Sequence, residues 1–154
     1  MDPSRAAQRE AVSSAERDPS NSARNGAARP RTLVAEDNEY MLQLLSRALQ
    51  RDGHEVVQAR NGFELMHWVD LITEWSQSAP LFDLIVTDLR MPMFSGQDCL
   101  ERLDACNHRT PVILISAFAD WQVRREAFAK GARAVLDKPL DMRALRAAVE
   151  LALR

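Results

Sequence analysis

Short apolar runs alternate with stretches of helical periodicity from Arg31 onward. Runs of branched apolar residues predict buried strands, and apolar residues that recur every three or four positions predict helices. The predicted strands cover residues 32–35, 55–59, 82–88, 111–115 and 133–136. Strands that alternate with helices in this way predict one parallel sheet with helices on both faces and right-handed crossovers.

Turn and cap residues mark where the five predicted helices begin and end. Asn38 can cap the first helix, which runs up to Gly53. Gly131 can close the fourth helix, and Asp141 can start the fifth. The helices between them are predicted at residues 63–77, 96–105 and 121–130.

The helix predicted at 63–77 carries apolar side chains on two faces. One stripe, expected to face the core, consists of Leu65, Met66, Val69 and Ile72. A second stripe, on roughly the opposite face, consists of Trp68, Leu71 and Trp75. A second stripe is typical of contact with a partner or of a homodimer, although packing under the loop at 76–81 explains it about as well.

Residues 1–30 differ in composition from the rest of the chain. They are rich in Ser, Ala, Asn, Arg and Pro, and Val12 is almost the only sizeable apolar residue after Met1. Such a segment cannot bury enough apolar surface to offset the entropy lost on ordering. We therefore expect a disordered tail before a single folded domain at 31–154.

Composition and charge narrow the functional classes. A net charge of −2 at pH 7 gives no electrostatic reason to expect nucleic acid or an anionic membrane as a partner. No run approaches the roughly 18 apolar residues of a membrane span, and no signal peptide is evident, so we expect a cytoplasmic protein. Cys99 and Cys106 lack metal-ligand spacing and are expected to be buried, reduced thiols.

Charged and polar side chains follow four of the predicted strands. Glu36 and Asp37 come after the first strand, and Asp88 ends the third. Ser116 ends the fourth strand, and Lys138 follows the fifth. On its own, Asp88 is more commonly explained as a residue that ends a strand or caps a turn. Because the carboxyl ends of parallel strands meet at one edge, where open α/β sheets bind ligands, we expect all five side chains to lie together.

The chemistry of this set points to phosphoryl transfer. Converging carboxylates repel by about 4 kcal/mol per close pair at an effective dielectric constant of about 20, so they need a cation. A few hard oxygen ligands suit Mg²⁺, which keeps several waters and takes another ligand from a phosphoryl oxygen. Lys138 can pair with Asp88 or with a phosphoryl group, and Ser116 offers a hydroxyl donor. Together these are the groups needed to move a phosphoryl group onto Asp88.

From Arg31 to Arg154 the sequence resembles the receiver domain of bacterial two-component response regulators. The motifs that carry the resemblance are Leu33-Val34-Ala35-Glu36-Asp37-Asn38, Asp88-Leu89-Arg90-Met91-Pro92-Met93, Ser116-Ala117 and Lys138-Pro139. The resemblance implies a flavodoxin-like α/β fold. In that fold a doubly wound parallel sheet of five strands, in the order 2-1-3-4-5, is combined with five helices.

The resemblance also implies the roles of the acidic residues. Asp88 would accept the phosphoryl group from a histidine kinase or a phosphotransfer protein. Asp37, Asp88 and the carbonyl group of Arg90 would bind Mg²⁺ directly, and Glu36 would act through water. The domain would be a signalling protein and not an enzyme, beyond self-catalysed phosphoryl transfer and autodephosphorylation.

By the same resemblance, Ser116 and Lys138 would hold the phosphoryl oxygens, and the peptide bond between Lys138 and Pro139 should be cis. Phosphorylation would change the surface formed by the fourth helix, the fifth strand and the fifth helix, and so control a partner protein. That surface would include Trp121, Arg125, Lys130 and the polar side of residues 141–154. Because the chain ends directly after the fifth helix, we expect no output domain and action through contact with another protein.

The chain departs from the family pattern at one position and suggests a slow loss of the phosphoryl group at two others. Val135 stands where the family usually has an aromatic residue that swings inward, so the output step is expected to differ or to rely on the loop alone. Arg90 and Phe118 each lie two residues past a site residue, where they can crowd an attacking water. We therefore predict a long-lived phosphoryl group.

Other functional classes fit the sequence less well. A haloacid dehalogenase-type hydrolase needs a second acid two residues after the first, where this chain has Arg90. A flavodoxin-like cofactor carrier needs a phosphate-binding loop after the first strand, where Glu36 and Asp37 would repel a phosphate. Within the predicted fold, a phosphorelay intermediate and a docking module that works without phosphorylation stay open as alternatives.

Overall fold

Five strands alternate with five helices in the computed structural model, which describes residues 28–74 and 79–154. The strands are β1 (Arg31–Ala35), β2 (Glu55–Ala59), β3 (Leu84–Asp88), β4 (Val112–Ser116) and β5 (Ala132–Asp137). The helices are α1 (Glu39–Arg51), α2 (Gly62–Glu74), α3 (Gly96–Ala105), α4 (Trp121–Ala129) and α5 (Met142–Ala152). The predicted tail lies outside the described residues apart from 28–30, as does the predicted end of the second helix at 75–77.

The sheet has the predicted order. All the strand pairs are parallel, and the strands lie in the order β2-β1-β3-β4-β5. Every residue of β3 and β4 is buried, whereas the outer strands β2 and β5 keep exposed residues. The inner strands lack polar–apolar alternation because helices cover both of their faces.

Alternate residues of each strand point into two separate hydrophobic cores. Leu33 and Ile85 face the core that is closed by α2, α3 and α4. Val34 and Val86 face the opposite core, which is closed by α1 and α5. A period of two along each strand therefore assigns its side chains to the two helical layers.

In the described part of the chain no helix is both long and apolar enough to span a bilayer.

The caps predicted from the sequence are present. The side chain of Asn38 accepts a hydrogen bond from the backbone N–H of Met41 at 3.0 Å, and Asp141 accepts one from Arg143 at 2.8 Å. Gly131 follows α4 with a φ of +99°, a conformation that favours glycine. These contacts satisfy backbone groups that would otherwise be unpaired at the helix ends.

The structure decides between two alternatives for one set of side chains and corrects one expectation about another. Trp68 is buried, and its ring packs edge-on against Phe82 with 5.5 Å between ring centroids, while Leu71 packs against the same core. Of the two explanations for the second apolar stripe, packing within the chain therefore accounts for these two residues, and Trp75 lies outside the described residues. Cys99 is buried as expected, but Cys106 caps the C-terminal end of α3 and is exposed.

The N-terminus of α3 approaches the end of β3 very closely. A Cβ on Gly96 would lie 2.7 Å from the carbonyl oxygen of Asp88 and 2.8 Å from Cδ2 of Leu114. The backbone N–H of Gly96 also donates to the carbonyl of Leu89 at 3.2 Å. A residue without a side chain is therefore required where the loop after β3 turns into α3.

We expect Gly96→Ala to lower the free energy of unfolding by about 1–3 kcal/mol, because the added methyl group forces α3 away from β3. Urea unfolding followed by circular dichroism measures the change. The control is Gln97→Ala, one residue along the same helix, which should change the free energy by less than about 0.5 kcal/mol. A Gly96→Ala variant as stable as the wild type would show that α3 can shift at no cost.

Candidate functional site

The carboxyl ends of the strands meet at one edge of the sheet. Asp88, the last residue of β3, pairs with Ile115 of β4, and Ser116 pairs with Asp137 of β5. β1 lies on the other side of β3, and Glu36 directly follows its last residue. This register brings the residues predicted from four strand ends to the same edge.

Three carboxylates converge there. Glu36, Asp37 and Asp88 each offer a carboxylate oxygen, and these oxygens all lie within 4.8 Å of one another. Glu36 is 1% exposed and Asp88 is 6% exposed, whereas Asp37 is open to solvent. Charges this close repel by about 4 kcal/mol per pair at an effective dielectric constant of about 20. A few hard oxygen donors with one side open to water fit Mg²⁺ well.

Lys138, in the loop after β5, supplies a positive charge to this cluster. Its Nζ donates to Oδ2 of Asp88 at 2.7 Å and to Oε2 of Glu36 at 3.0 Å. Burial lowers the pKa of Lys138, but its hydrogen bonds to the two carboxylates outweigh burial, and the pKa is raised above its usual value. The amine is therefore protonated at neutral pH. The peptide bond from Lys138 to Pro139 is cis, as predicted.

Burial has the opposite effect on the carboxyl group of Glu36. It raises the pKa of Glu36 to about 7, and the nearby charge of Asp88 acts in the same direction. A hydrogen bond from the backbone N–H of Asn38 at 3.1 Å and the contact with Lys138 lower the pKa and offset part of this rise. The cluster therefore carries less than three full negative charges near neutral pH.

Of the remaining predicted residues, Arg90 lies in the loop after β3 and Ser116 is the last residue of β4. The backbone N–H of Arg90 donates to Oδ1 of Asp88 at 3.0 Å. Ser116 is buried, its Oγ accepts a hydrogen bond from the N–H of Phe118 at 3.2 Å, and its carbonyl accepts one from the N–H of Lys138 at 2.8 Å. Backbone hydrogen bonds thus connect the loop after β3 to the carboxylate of Asp88, and the end of β4 to the backbone of Lys138. The chemical roles of Arg90 and Ser116 stay predictions.

A profile of the response regulator receiver domain matches residues 32–150. The chain belongs to this family. The match covers every predicted site residue and all of the sheet except the first residue of β1, so the family resemblance seen in the motifs is confirmed. A receiver domain is a signalling module, and this assignment agrees with the prediction of a phosphoacceptor protein at that general level.

Curated relatives include both multidomain regulators and a stand-alone protein. The receiver is 32% identical to the regulatory protein AtoC of Escherichia coli K12 over 124 residues, which are 80% of this chain and 25% of AtoC. It is 28% identical to the chemotaxis protein CheY of Treponema pallidum over 126 residues, 82% of this chain and 83% of CheY. The chain thus spans about a quarter of the length of AtoC and most of CheY.

Solved receiver structures have the same fold. The receiver domain of HemR from Leptospira biflexa superimposes with a TM-score of 0.69 at 27% identity, covering 81% of this chain and 94% of that one. A receiver domain from a Francisella response regulator gives a TM-score of 0.69 at 27% identity, covering 80% and 96%. The predicted strand order and fold class are confirmed by these neighbours.

Sequence reasoning did not single out Arg124 or Asp137. Arg124, on α4, bonds to Asp137 at the end of β5 and to two backbone carbonyls. These contacts join residues 5 to 13 positions apart, and neither helical nor strand periodicity brings such positions together. Only the packing of α4 against β5 could reveal them.

We expect Lys138→Met to lower the free energy of unfolding by about 3 kcal/mol in magnesium-free buffer, because it leaves Asp88 and Glu36 buried without a counter-charge. Adding Asp88→Asn to the same chain should recover much of the loss. Urea unfolding followed by tryptophan fluorescence gives both values.

The matched control is Lys130→Met, which removes the other lysine of the chain. Lys130 pairs with Glu101 at 2.5 Å on the surface, where an ion pair contributes little to stability. The loss at Lys130 should therefore be much smaller. Equal losses for the two variants would show that Lys138 does not neutralise buried charge.

Proposed function

We propose that this receiver domain is a switch in which Asp88 accepts a phosphoryl group from a histidine kinase or a phosphotransfer protein. A carboxylate oxygen of Asp88 would form the new bond to phosphorus while the bond from phosphorus to the donor imidazole breaks, and the imidazole nitrogen keeps the electron pair. The convergence of Asp88, two further carboxylates and Lys138 at one open sheet edge supports this function.

Glu36, Asp37, Asp88 and the carbonyl group of Arg90 are the residues proposed to hold Mg²⁺, with Glu36 acting through water. When bound, the ion would neutralise charge on the carboxylates and on the phosphoryl oxygens. The donor set supports this assignment because it consists of hard oxygen ligands around a solvent-exposed side.

Lys138 and Ser116 are proposed to hold the transferred phosphoryl group. Lys138 would exchange its hydrogen bond with Asp88 for one with a phosphoryl oxygen, so its charge would stay paired. The hydroxyl group of Ser116 would donate to another phosphoryl oxygen and draw the loop after β4 toward Asp88. Loop and phosphoryl group would then be linked by charge-assisted hydrogen bonds.

The response is proposed to be a change in the surface formed by α4, β5 and α5. Reversing a two-state equilibrium from 1:99 to 99:1 takes about 5.5 kcal/mol of differential binding, which a few charge-assisted hydrogen bonds can supply. Trp121 and Arg125 of α4 are exposed and available to a partner protein, whereas Lys130 is held by Glu101 of α3. A phosphorelay intermediate would use the same acceptor and pass the group on to a second histidine.

Incubation with acetyl phosphate and Mg²⁺, followed by intact-mass measurement, tests the acceptor. We expect the wild type to gain one phosphoryl group and Asp88→Asn to gain none. Asp104→Asn, an exposed acid on α3, is the matched control and should behave like the wild type. Removing Mg²⁺ with a chelator should abolish the reaction.

A phosphorylated Asp88→Asn variant would contradict the assignment of the acceptor. A wild type that gains no phosphoryl group from either acetyl phosphate or a phosphohistidine donor would favour the docking module that works without phosphorylation.

We also expect the phosphoryl group to be long-lived, because Arg90 and Phe118 are exposed side chains next to the site that can crowd an attacking water. Replacing both, as Arg90→Asn with Phe118→Ala, should speed loss of the group by about tenfold, or ~1.4 kcal/mol of activation free energy. Intact mass measured over time after removal of the donor gives the rate. An unchanged decay rate would contradict this role.

A further inference from the structure

The guanidinium group of Arg124 makes three contacts, which lie in two segments of the chain. Its Nε donates to the carbonyl of Ala119, in the loop between β4 and α4, at 3.2 Å. Its Nη1 donates to the carbonyl of Val135 in β5 at 2.9 Å, and its Nη2 is paired with the carboxylate of Asp137 at the end of β5. One side chain of α4 therefore bridges the loop before this helix and the strand after it.

Both bridged segments lead directly to the phosphorylation site. Ala119 lies three residues after Ser116, and Asp137 directly precedes Lys138. Lys138 bonds to Asp88 through its side chain at 2.7 Å and to the carbonyl of Ser116 through its backbone at 2.8 Å. Contacts therefore lead from Asp88 through Lys138 and β5 to Arg124. From Arg124 they lead through Ala119 and the loop back to Ser116.

Stability alone does not account for this arrangement. The carboxylate of Asp137 is 63% exposed, and ion pairs this open to water contribute little to folding. The guanidinium instead sets the relative position of two segments, because its planar group donates to a carbonyl in each of them. The side chain of Val135 is buried and has no polar atom, so in this region of β5 the link to the loop runs through the backbone carbonyl.

We propose that Arg124 is a positioning residue that couples the loop after β4 to β5. When Ser116 draws the loop toward a phosphoryl group, the carbonyl of Ala119 moves relative to α4, and the guanidinium must either follow it or release it. Either response changes the contacts with Val135 and Asp137, which carries the signal to the exposed side of β5. This inference rests on the proposed phosphorylation of Asp88.

Hydrogen exchange of backbone amides, with and without acetyl phosphate and Mg²⁺, tests the coupling. Intact mass gives the phosphoryl occupancy of each sample. In the wild type we expect phosphorylation to change exchange both in the loop at 117–120 and in β5. In Arg124→Met the loop should still respond, whereas the change in β5 should fall at least about threefold at equal occupancy, because the link between the two segments is lost.

Three further variants separate coupling from folding and from charge. Arg124→Lys keeps the positive charge but cannot bond both carbonyls, so it should not restore the response of β5. Arg133→Met removes an exposed arginine of the same strand and should behave like the wild type. Asp137→Ala removes only one of the three contacts and should give an intermediate response, which keeps the test valid if Arg124→Met does not fold.

A β5 response in Arg124→Met equal to that of the wild type, at equal occupancy, would overturn the coupling role and leave phosphorylation of Asp88 untouched. A full response in Arg124→Lys would overturn the role of the planar guanidinium, since positive charge alone would then suffice. A wild type that gains no phosphoryl group would instead overturn the proposed function, and this inference with it.

Discussion

Lys138 reaches back from the end of β5 to Asp88, and this contact offsets part of the charge that three carboxylates bring to one edge of the sheet. Two of those carboxylates are buried, so neither can rely on water to screen it. Burial also raises the pKa of Glu36 to about 7, which places one protonation step of the cluster near neutral pH. An arrangement with so much unneutralised negative charge gains more from a bound cation than an ordinary surface does. The repulsion that destabilises the site therefore also favours the binding of a cation there.

The buried sheet is what holds these charges close. β3 and β4 are buried along their whole length, and helices pack on both faces, so the strand ends that carry Asp88 and Ser116 have little freedom to separate. Gly96 adds a second constraint, because α3 begins in direct contact with the carbonyl of Asp88. The loops beyond the strands are less confined, as the exposure of Met93 and Phe118 shows. A rigid edge with exposed loops suits the proposed site, which would bind a charged group and pass on the change.

In the proposed switch, Arg124 would transmit a structural change at the site to other parts of the molecule. Its hydrogen bonds join the loop after β4 to the backbone of β5, and Asp137 connects the same group to the residue before Lys138. The path consists of contacts between adjacent groups and needs no motion of the buried sheet. It also lies on the side of the molecule where Trp121 is 71% exposed. In the proposed switch, Arg124 would thereby connect the acceptor Asp88 with the output surface.

The sequence by itself determined the order of the elements, the parallel sheet and the residues that meet at its edge. Those inferences depend on local patterns: branched runs such as Leu84 to Val86 make buried strands, and parallel strands must end at the same edge. Periodicity could not decide which face of a helix with two apolar stripes is covered, because Trp68 is buried by Phe82, a residue remote in sequence. It could not reveal that Cys106 is exposed or that Arg124 bonds to Val135. Only the tertiary structure decided these points, because each depends on where separate elements pack against one another and not on the order of residues within one element.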